Sequence, residues 1–214
     1  MVIEKICFKN REDASEQLYN ILPSNDLLQE EWVIIATSDG GVPIATNLAK
    51  KLNAKLDFLF TEKIYTKNNN ECEIAIITET SEIVIHEELM KSFKLDLEEI
   101  YKEADEKFYS EIKAYKAKYR NSLDIMDLNN KNVLLVDEGL NTGLTMMACI
   151  KSVINNKAKS VCVAVPILPK VTVNDIESIA DDLYYVHAPD HFVSIDFYYE
   201  ELIKVNLENI NIKN

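Results

Sequence analysis

Glycine is scarce in this sequence: only four of its 214 residues are glycine, and they fall in two short segments. Average usage of about 7% would place roughly fifteen in a chain of this length. A chain this poor in glycine keeps it where no other residue serves, at positive φ or against a ligand. Gly40 and Gly41 form one segment, Gly139 and Gly143 the other, and each follows an apolar run and precedes a helical pattern. The two segments therefore predict two strand–loop–helix junctions that build one ligand site.

Further absences limit the class of protein. The sequence has no apolar run as long as a membrane span, and its first residues lack the basic-then-apolar layout of a signal peptide. Basic residues are too few for a nucleic-acid surface, since 23 Lys and Arg face 36 Asp and Glu and the formal net charge is -13. These absences predict a cytoplasmic protein with neither a membrane nor a nucleic acid as its partner.

The cysteines, Cys7, Cys72, Cys149 and Cys162, are scattered and include no C-x-x-C pair. Three of the four lie in apolar strand or helix patterns. Buried, reduced thiols are therefore expected rather than zinc ligands or disulfides.

Apolar runs of strand length alternate with helical patterns along most of the chain. This alternation, with nearly continuous apolar strands, predicts an α/β fold with a doubly wound, mostly parallel sheet. Segments 73–78 and 82–86 indicate a further pair of strands joined by a tight polar connection. The predicted strands of the main sheet are 32–37, 56–60, 132–137, 160–166 and 183–187, and the predicted helices are 11–22, 42–52, 144–154 and 173–180.

Residues 96–120 have a different pattern, with apolar and aromatic side chains at spacings of three and four and Lys and Glu on the other faces. This pattern predicts a long amphipathic helix whose tyrosines pack in the core rather than forming a cofactor-binding box. Its apolar face consists of Leu97, Tyr101, Ala104, Phe108, Ile112, Tyr115 and Tyr119.

The strongest chemical signal is the pair Asp137 and Glu138, which directly follows the apolar run 133–136. Two adjacent carboxylates at a strand end are costly unless sugar hydroxyls or a metal ion pair with them. The loop that follows contains glycine, Thr142 and Thr145 and leads into a helix, where free N–H groups and the helix dipole form a phosphate cradle. A carboxylate pair that binds a diol and leads into a phosphate loop is spaced for a ribose 5-phosphate.

Other phosphate motifs fit this segment poorly. The Walker loop needs a lysine where Leu144 stands, and the dinucleotide pattern G-x-G-x-x-G is absent. A receiver domain also carries an acidic pair after such a strand, but near its amino end, whereas 136 residues precede Asp137. The remaining alternative is an acidic surface turn that caps a helix, and the glycines together with the threonines argue against it.

Residues 133–145 resemble the phosphoribosyl pyrophosphate (PRPP) motif of type I phosphoribosyltransferases. Residues 35–45 resemble the pyrophosphate loop of that family, and residues 61–64 resemble the strand end that follows it. The resemblance implies one phosphoribosyltransferase-like domain over residues 1–214, with a small hood and a helical insert at about 88–120. Later segments are similar to a bacterial subgroup of predicted phosphoribosyltransferases, namely 73–76, 163–166 and 192–198.

By position, the resemblance assigns the catalytic role to Asp137 and Glu138, which would hold the ribose hydroxyls directly or through Mg²⁺. The same two residues are therefore the expected metal ligands. The implied reaction is attack of a nitrogen nucleophile on the anomeric carbon as pyrophosphate departs with Mg²⁺. Positioning and neutralisation of the leaving group would supply most of the catalysis. Dimers are common in the family, so a homodimer is one implied state. The residues implied to bind PRPP or a related sugar phosphate are Ser38, Asp39, Gly40, Gly41, Lys63, Gly139, Leu140, Asn141, Thr142, Gly143, Leu144 and Thr145.

Four residues depart from the family pattern, and one of them is Ile77, which stands where a glycine is usual. Asp39 and Glu62 stand where the resembling subgroup has basic residues, and two acids would repel a leaving pyrophosphate unless Mg²⁺ intervenes. Asn141 stands where purine-salvage members have an aspartate near the base, and an asparagine cannot take up a proton there. These departures leave two alternatives open: a non-catalytic regulatory protein that binds nucleotides, and an enzyme that acts on another phosphorylated sugar.

Two groups near the carboxyl end carry less weight. His187 and His191 could form an acid–base pair with Asp190, although ordinary loop hydrogen bonds are commoner for such histidines. The run 197–199, Phe-Tyr-Tyr, fits either a wall that stacks on a base or an aromatic edge of the core.

Overall fold

The computed structural model of this protein describes residues 8–66 and 69–205, with the backbone alone for residues 69–71. Cys7 lies outside the described residues, so its predicted burial stays a prediction. Within the described part of the chain, no helix has both the length and the apolar character that a membrane crossing requires.

The described chain alternates strands with helices as the sequence predicts, and the ends of most elements differ from the prediction by no more than three residues. The strands are β1 (Trp32–Ala36), β2 (Lys55–Phe58), β3 (Thr61–Thr66), β4 (Asn69–Thr78), β5 (Ile83–Ile85), β6 (Asn132–Val136), β7 (Ser160–Ile167) and β8 (Asp182–His187). The helices are α1 (Arg11–Ile21), α2 (Ser24–Leu27), α3 (Gly41–Leu52), α4 (Glu87–Phe93), α5 (Leu97–Lys107), α6 (Lys113–Arg120), α7 (Leu144–Asn155) and α8 (Lys170–Glu177).

The main sheet has five parallel strands in the order β2-β1-β6-β7-β8. Successive side chains of the central strands enter two different hydrophobic clusters. Ile34 and Leu134 pack in the cluster that includes α1 and α3, whereas Ile35 and Leu135 pack in the cluster that includes α7. Because both faces of the sheet are covered, β1 and β6 are continuous apolar runs in the sequence. The predicted doubly wound α/β fold is confirmed.

A second sheet is antiparallel and has the order β3-β4-β5, and we use the name hood for this sheet. The predicted pair of strands is confirmed, with Ile76 opposite Val84. Strand β3 was predicted only as a strand end, because most of its side chains are polar and only Ile64 and Thr66 are buried. The predicted strand 56–60 ends early, at Phe58, since the chain enters β3 after only two intervening residues.

The insert is helical throughout residues 97–120, but a π-helical turn at Phe108–Ile112 separates α5 from α6. A π turn adds one residue to the helix and so rotates the face that follows it. The buried face is centred on Ile100 and Ala104, and beyond the turn Arg120 is buried as well. The predicted packing of the apolar face in the core is wrong for two of its members. Tyr101 is 49% exposed and Leu97 is 45% exposed.

The described cysteines are free thiols, as predicted. Cys149 and Cys162 are buried, and burial raises the pKa of both, to about 11 for Cys162. Cys72 is only partly buried, because it lies on β4 at the wall of a cavity. The predicted burial of a reduced thiol is therefore confirmed for Cys149 and Cys162, whereas Cys72 is buried only in part.

Candidate functional site

The two glycine-containing loops lie side by side at one edge of the main sheet. Strands β1 and β6 are neighbours with Ala36 opposite Val136, so the loops that follow both strands begin at the same level. The Thr37 N–H donates to the Val136 carbonyl at 3.1 Å and joins the two loops. The two strand–loop–helix junctions therefore lie next to each other, as the sequence predicts.

Asp137 is buried at this edge of the sheet, with 6% of its surface exposed. Its Oδ2 accepts the Thr37 hydroxyl at 2.8 Å, and its Oδ1 accepts the Ser38 hydroxyl and, at 2.7 Å, the Glu138 N–H. Burial raises the pKa of Asp137 to about 6, although these hydrogen bonds act in the opposite direction. Asp137 therefore holds the first loop in place.

The first loop presses against the acidic pair at Gly40 and Gly41, and at Gly41 the contact is with backbone. A Cβ on Gly41 would lie 2.9 Å from both the Asp137 Cα and the Val136 carbonyl oxygen, and a Cβ on Gly40 would overlap the Glu138 carboxylate. Both glycines are buried, and neither is among the residues that line the cavity. They permit the close approach of the two loops, and their predicted role in binding a ligand stays a prediction.

The second loop opens into the amino end of α7. Gly143 is the N-cap residue of this twelve-residue helix, and its φ of 79° is the left-handed conformation that favours glycine. The Leu144 N–H donates to the Thr142 hydroxyl at 3.3 Å, and the Leu140 N–H donates to the Ile167 carbonyl at 2.9 Å. The loop is therefore anchored on β7 and presents hydroxyls and helix N–H groups to the cavity, as an anion site requires.

Arg11 contributes a contact that the sequence analysis missed. Its Nε and Nη2 atoms both lie 2.6 Å from the Glu138 Oε2, and its Nη1 donates to the Ile203 carbonyl at 2.6 Å. The Tyr199 hydroxyl donates to the Glu138 carbonyl at 2.7 Å. Glu138 is thus held from behind by both ends of the described chain. A lone arginine at a helix start, 127 residues from its partner, carries no local sequence pattern.

One cavity of about 930 Å³ brings most of the predicted site residues together. Its lining includes Ser38, Asp39, Lys63, Asp137, Glu138 and the whole run 139–145. A volume of this size is within the range of ligand sites for small molecules. The hood and the insert close the cavity on the side of β2, where Tyr65, Cys72, Glu73, Leu89, Tyr115 and Tyr119 line it.

The charges in the lining are mostly paired. Lys63 contacts Glu73 at 2.7 Å, and although burial disfavours its charge, the hydrogen bond and charge of Glu73 raise its pKa. Glu62 pairs with Lys107 at 3.4 Å and accepts a hydrogen bond from Tyr115. These residues therefore add little net charge to the cavity.

Asp39 differs from the paired residues of the lining. Its carboxylate forms no hydrogen bond or ion pair with any residue in the described ranges. Partial loss of hydration at the cavity rim raises its pKa, and the charge of Lys204 acts in the opposite direction without forming an ion pair. Asp39 therefore presents a carboxylate to the cavity with its hydrogen-bonding capacity unused.

The aromatic side chains that line the cavity are not those of the run 197–199. Phe197 packs against the core, whereas Tyr198 and Tyr199 are buried in it, so the alternative of an aromatic edge of the core is correct. Neither His187 nor His191 lines the cavity, and the nearest described aromatic contact of His187 is the buried Tyr198. The aromatic residues that do line the cavity are Phe58, Phe60, Tyr65, Tyr115 and Tyr119.

The carboxylates do not form a metal cage. In residues 8–66 and 69–205, no three His, Cys, Asp or Glu side chains come together as metal ligands. Both oxygens of Asp137 already accept hydrogen bonds, whereas Arg11 contacts only one oxygen of Glu138. This donor set fits a Mg²⁺ ion that arrives with a phosphorylated ligand and takes one or two carboxylates, the usual mode for Mg²⁺.

Comparison with known proteins agrees with this architecture. The crystal structure of TT1426 from Thermus thermophilus superposes with a TM-score of 0.76 at 22% identity and covers 96% of both chains. The structure of AQ2163 from Aquifex aeolicus gives a TM-score of 0.51 at 13% identity, over 86% of this chain and 77% of that one. At these identities the similarity concerns the fold.

Sequence comparison identifies the family. A Mycobacterium tuberculosis protein named "Putative phosphoribosyl transferase Rv0571c" is 28% identical over 188 residues, which is 88% of this chain. The chain spans 42% of the length of that relative. The phosphoribosyl transferase domain family matches residues 8–199, which include both loops, the acidic pair, the hood and the insert. This chain therefore belongs to the phosphoribosyl transferase domain family.

Proposed function

We propose that this protein binds PRPP or another ribose 5-phosphate ligand in the cavity and transfers the phosphoribosyl group to a nitrogen acceptor, with release of pyrophosphate. One observation carries the proposal: the acidic pair Asp137 and Glu138 leads directly into the loop at the amino end of α7, and both line the same cavity. Carboxylates suit a ribose diol, and helix N–H groups suit its 5-phosphate.

The residues of the chain would contribute mainly by positioning. Loop residues 140–145 would bind the 5-phosphate, and Glu138, fixed by Arg11, would accept hydrogen bonds from the ribose hydroxyls. Mg²⁺ would be held by the ligand together with Asp137 and Glu138, and when bound it would neutralise the departing pyrophosphate. Since the transition state resembles a sugar cation, a fixed array of carboxylates on the ribose side would also stabilise developing positive charge.

Isothermal titration calorimetry with ribose 5-phosphate, ribose and inorganic phosphate, each with and without Mg²⁺, tests the proposal. Ribose 5-phosphate should bind more tightly than either part alone, because both ends of the ligand are recognised. PRPP should bind with a stronger dependence on Mg²⁺ than ribose 5-phosphate. Equal affinities for ribose 5-phosphate and inorganic phosphate would contradict recognition of the sugar.

A non-catalytic, nucleotide-binding regulatory protein is the second candidate function. It is favoured by the absence, among the described residues of the lining, of a cation that could neutralise a leaving pyrophosphate. Lys63 is the only Lys or Arg of that lining, and it is paired with Glu73. Measurable PRPP binding without pyrophosphate release, across a panel of nitrogen acceptors, would favour this candidate.

The phosphate loop can be tested separately from the sugar site. A crystal soaked in sulfate should show an anion at residues 140–145, and Thr142→Val should weaken phosphate binding severalfold because it removes a hydroxyl and keeps the side-chain shape. Thr46→Val on α3 is the matched control and should leave phosphate binding unchanged. An anion bound reproducibly elsewhere, with this loop empty, would contradict the assignment.

Asp39 should weaken the binding of pyrophosphate-bearing ligands, because its unpaired carboxylate adds negative charge to the cavity. We expect Asp39→Arg to tighten pyrophosphate and PRPP binding by about tenfold or more and to reduce the dependence on Mg²⁺. Titrations with and without Mg²⁺ measure this, with Asp175→Arg on the exposed side of α8 as the control. Unchanged or weaker binding in the Asp39 variant would show that its charge does not act on this ligand.

Asn141 leads us to expect negligible transfer to hypoxanthine, guanine or adenine. The residue is exposed at the cavity, where an amide can form hydrogen bonds with a base but cannot take up a proton. General acid–base assistance typically contributes 10²–10⁴-fold, so Asn141→Asp should raise any trace activity. A pyrophosphate-release assay with each base decides the matter, and robust turnover of the unmodified protein with any of the three would overturn the prediction.

A further inference from the structure

The insert carries an exposed row of side chains beside its buried face. Three of them are large and apolar or aromatic: Leu97, Tyr101 and Tyr109 are 45%, 49% and 65% exposed. Asp105 and Lys113, which are also exposed, complete a spacing of four residues along α5, the π turn and α6. We name these five residues the insert stripe, and none of them is among the residues that line the cavity.

The π turn keeps the insert stripe on one side of the insert. In a regular α-helix each step of four residues advances about 40° around the axis, so four steps would carry Lys113 about 160° from Leu97. The π turn accommodates one extra residue and so offsets about 100° of this drift. The Lys113 Nζ lies 4.1 Å from the Tyr109 ring centroid, so the stripe is continuous across the turn.

The charges of the insert stripe are arranged symmetrically about Tyr109. Asp105 stands four residues before it and Lys113 four residues after it. Neither forms an ion pair with a residue in the described ranges, and the described contacts of the Lys113 ammonium are with the rings of Phe108 and Tyr109.

The helices on either side of the π turn repeat this pattern of charge. Helix α5 has five Asp and Glu against two Lys, whereas α6 has four Lys and Arg and no acid. A surface whose charge reverses about a central aromatic residue is complementary to an inverted copy of itself.

We propose that the insert stripe is a self-association surface, on which two copies of this chain pair their inserts antiparallel about a twofold axis at Tyr109. The two Tyr109 rings meet on the axis, and each Asp105 pairs with Lys113 of the second copy. Tyr101 lies opposite the exposed Ala117, whose small side chain leaves room for a ring. A parallel pairing would bring like charges together, so the charges select the antiparallel one. The inference concerns a surface outside the cavity and does not depend on the proposed function.

The proposed contact is small. One helix against one helix buries less than the roughly 1,200 Å² of the smallest standard interfaces, so we expect a weak dimer with a dissociation constant of about 10–100 µM. Association should weaken further at high salt, because the ion pairs lie at an exposed surface.

Exchange of the two charges tests the proposal. In sedimentation velocity over a concentration series that brackets this constant, Asp105→Lys and Lys113→Asp should each weaken the dimer at least about tenfold, because each replaces two attractive pairs by repulsive ones. An equimolar mixture of the two variants should recover the affinity of the unmodified protein within about threefold, since both pairs are then attractive again. Asp175→Lys on α8 makes the same change of charge elsewhere and should leave the constant unchanged.

Cysteine cross-linking locates the axis. Ser110→Cys, next to the proposed axis, should give a cross-linked dimer with a short bismaleimide, whereas Ser178→Cys at the end of α8 should give no more than the unmodified protein. Circular dichroism checks that each variant is folded. A protein that stays monomeric throughout the series, a dimer that survives either charge reversal, or a mixture that associates no better than its parts would each overturn the inference. The absence of a cross-link through Ser110→Cys would overturn it as well.

Discussion

Asp137→Asn is expected to raise the melting temperature at neutral and alkaline pH while weakening ribose 5-phosphate binding about ten- to a hundredfold. The Asp137 carboxyl is buried, and burial raises its pKa from 3.8 to about 6. Keeping it ionised above that pH opposes folding, and a shift of this size corresponds to about 3 kcal/mol. Removing the charge removes that cost and at the same time removes one of the two carboxylates that we propose hold the ligand and its Mg²⁺.

The gain in stability should be smaller than the full cost. The Asn side chain keeps one oxygen to accept from the Ser38 hydroxyl and the Glu138 N–H, but its Nδ2 must donate where Oδ2 accepts. The Thr37 hydroxyl can reorient to receive it, since its alternative acceptor, the Val136 carbonyl, lies 3.4 Å away. We therefore expect a net gain of about 1–2 kcal/mol, or roughly 2–8 °C for a chain of this size.

The direction of the pH dependence follows from the raised pKa. Between about pH 4 and pH 6 the folded protein holds the Asp137 proton and the unfolded chain has released it, so stability falls as the pH rises through this window. The difference in melting temperature between the variant and the unmodified protein should be small near pH 4 and complete above about pH 7. Asp175→Asn controls for the substitution itself. A difference independent of pH, or a variant less stable at pH 8, would contradict the prediction.

The sequence predicted well the strands that are buried on both faces and the elements whose buried residues recur with a strict period. β1 and β6 are covered on both faces, so nearly every residue is apolar and the strand is evident without knowledge of its neighbours. The acidic pair and the four glycines could likewise be identified from the local sequence alone. Close approach of Gly41 to Asp137 and the positive φ of Gly143 are constraints that no other residue type satisfies.

The features that the sequence did not reveal depend on contacts between distant parts of the chain. β3 exposes polar side chains and becomes a strand because β4 pairs with it, so its alternation is weak. The π turn at Phe108–Ile112 changes which side of the insert is buried, and a periodicity count that assumes 3.6 residues per turn cannot detect it. The Phe60 ring, two residues beyond β2, stacks on Tyr119 of α6 although most of the hood and the insert separates the two residues in the chain.

Arg11→Met is expected to destabilise the fold by about 2–3 kcal/mol, because it leaves the Glu138 carboxylate enclosed without a cation. The Arg11 and Glu138 side chains are only 12% and 18% exposed, so solvent replaces little of the lost interaction. The Ile203 carbonyl also loses its donor, so the carboxyl-terminal segment loses this hydrogen bond to α1. Thermal denaturation should show a decrease of roughly 5–10 °C.

A double-mutant cycle separates the ion pair from general damage to α1. Glu138→Gln in the Arg11→Met background removes the unpaired charge, so the double variant should be more stable than Arg11→Met alone. Lys159→Met removes a cation from an exposed ion pair with Glu30 and should cost less than about 0.5 kcal/mol. Additive effects of the two site substitutions would show that Arg11 does not act through Glu138.

The same variant should separate the two halves of the proposed ligand. Arg11 fixes the Glu138 carboxylate over Gly40, at the expected ribose end of the cavity, and its hydrogen bonds in the described structure go to Glu138 and Ile203 rather than to the loop at 140–145. Arg11→Met should therefore weaken ribose 5-phosphate binding by about tenfold while leaving inorganic phosphate binding within about twofold. Arg11→Lys should recover only part of the affinity, because an ammonium cannot contact Glu138 and the Ile203 carbonyl in the same fork geometry. Equal losses for both ligands, at a temperature where the variant is fully folded, would assign Arg11 a purely structural role.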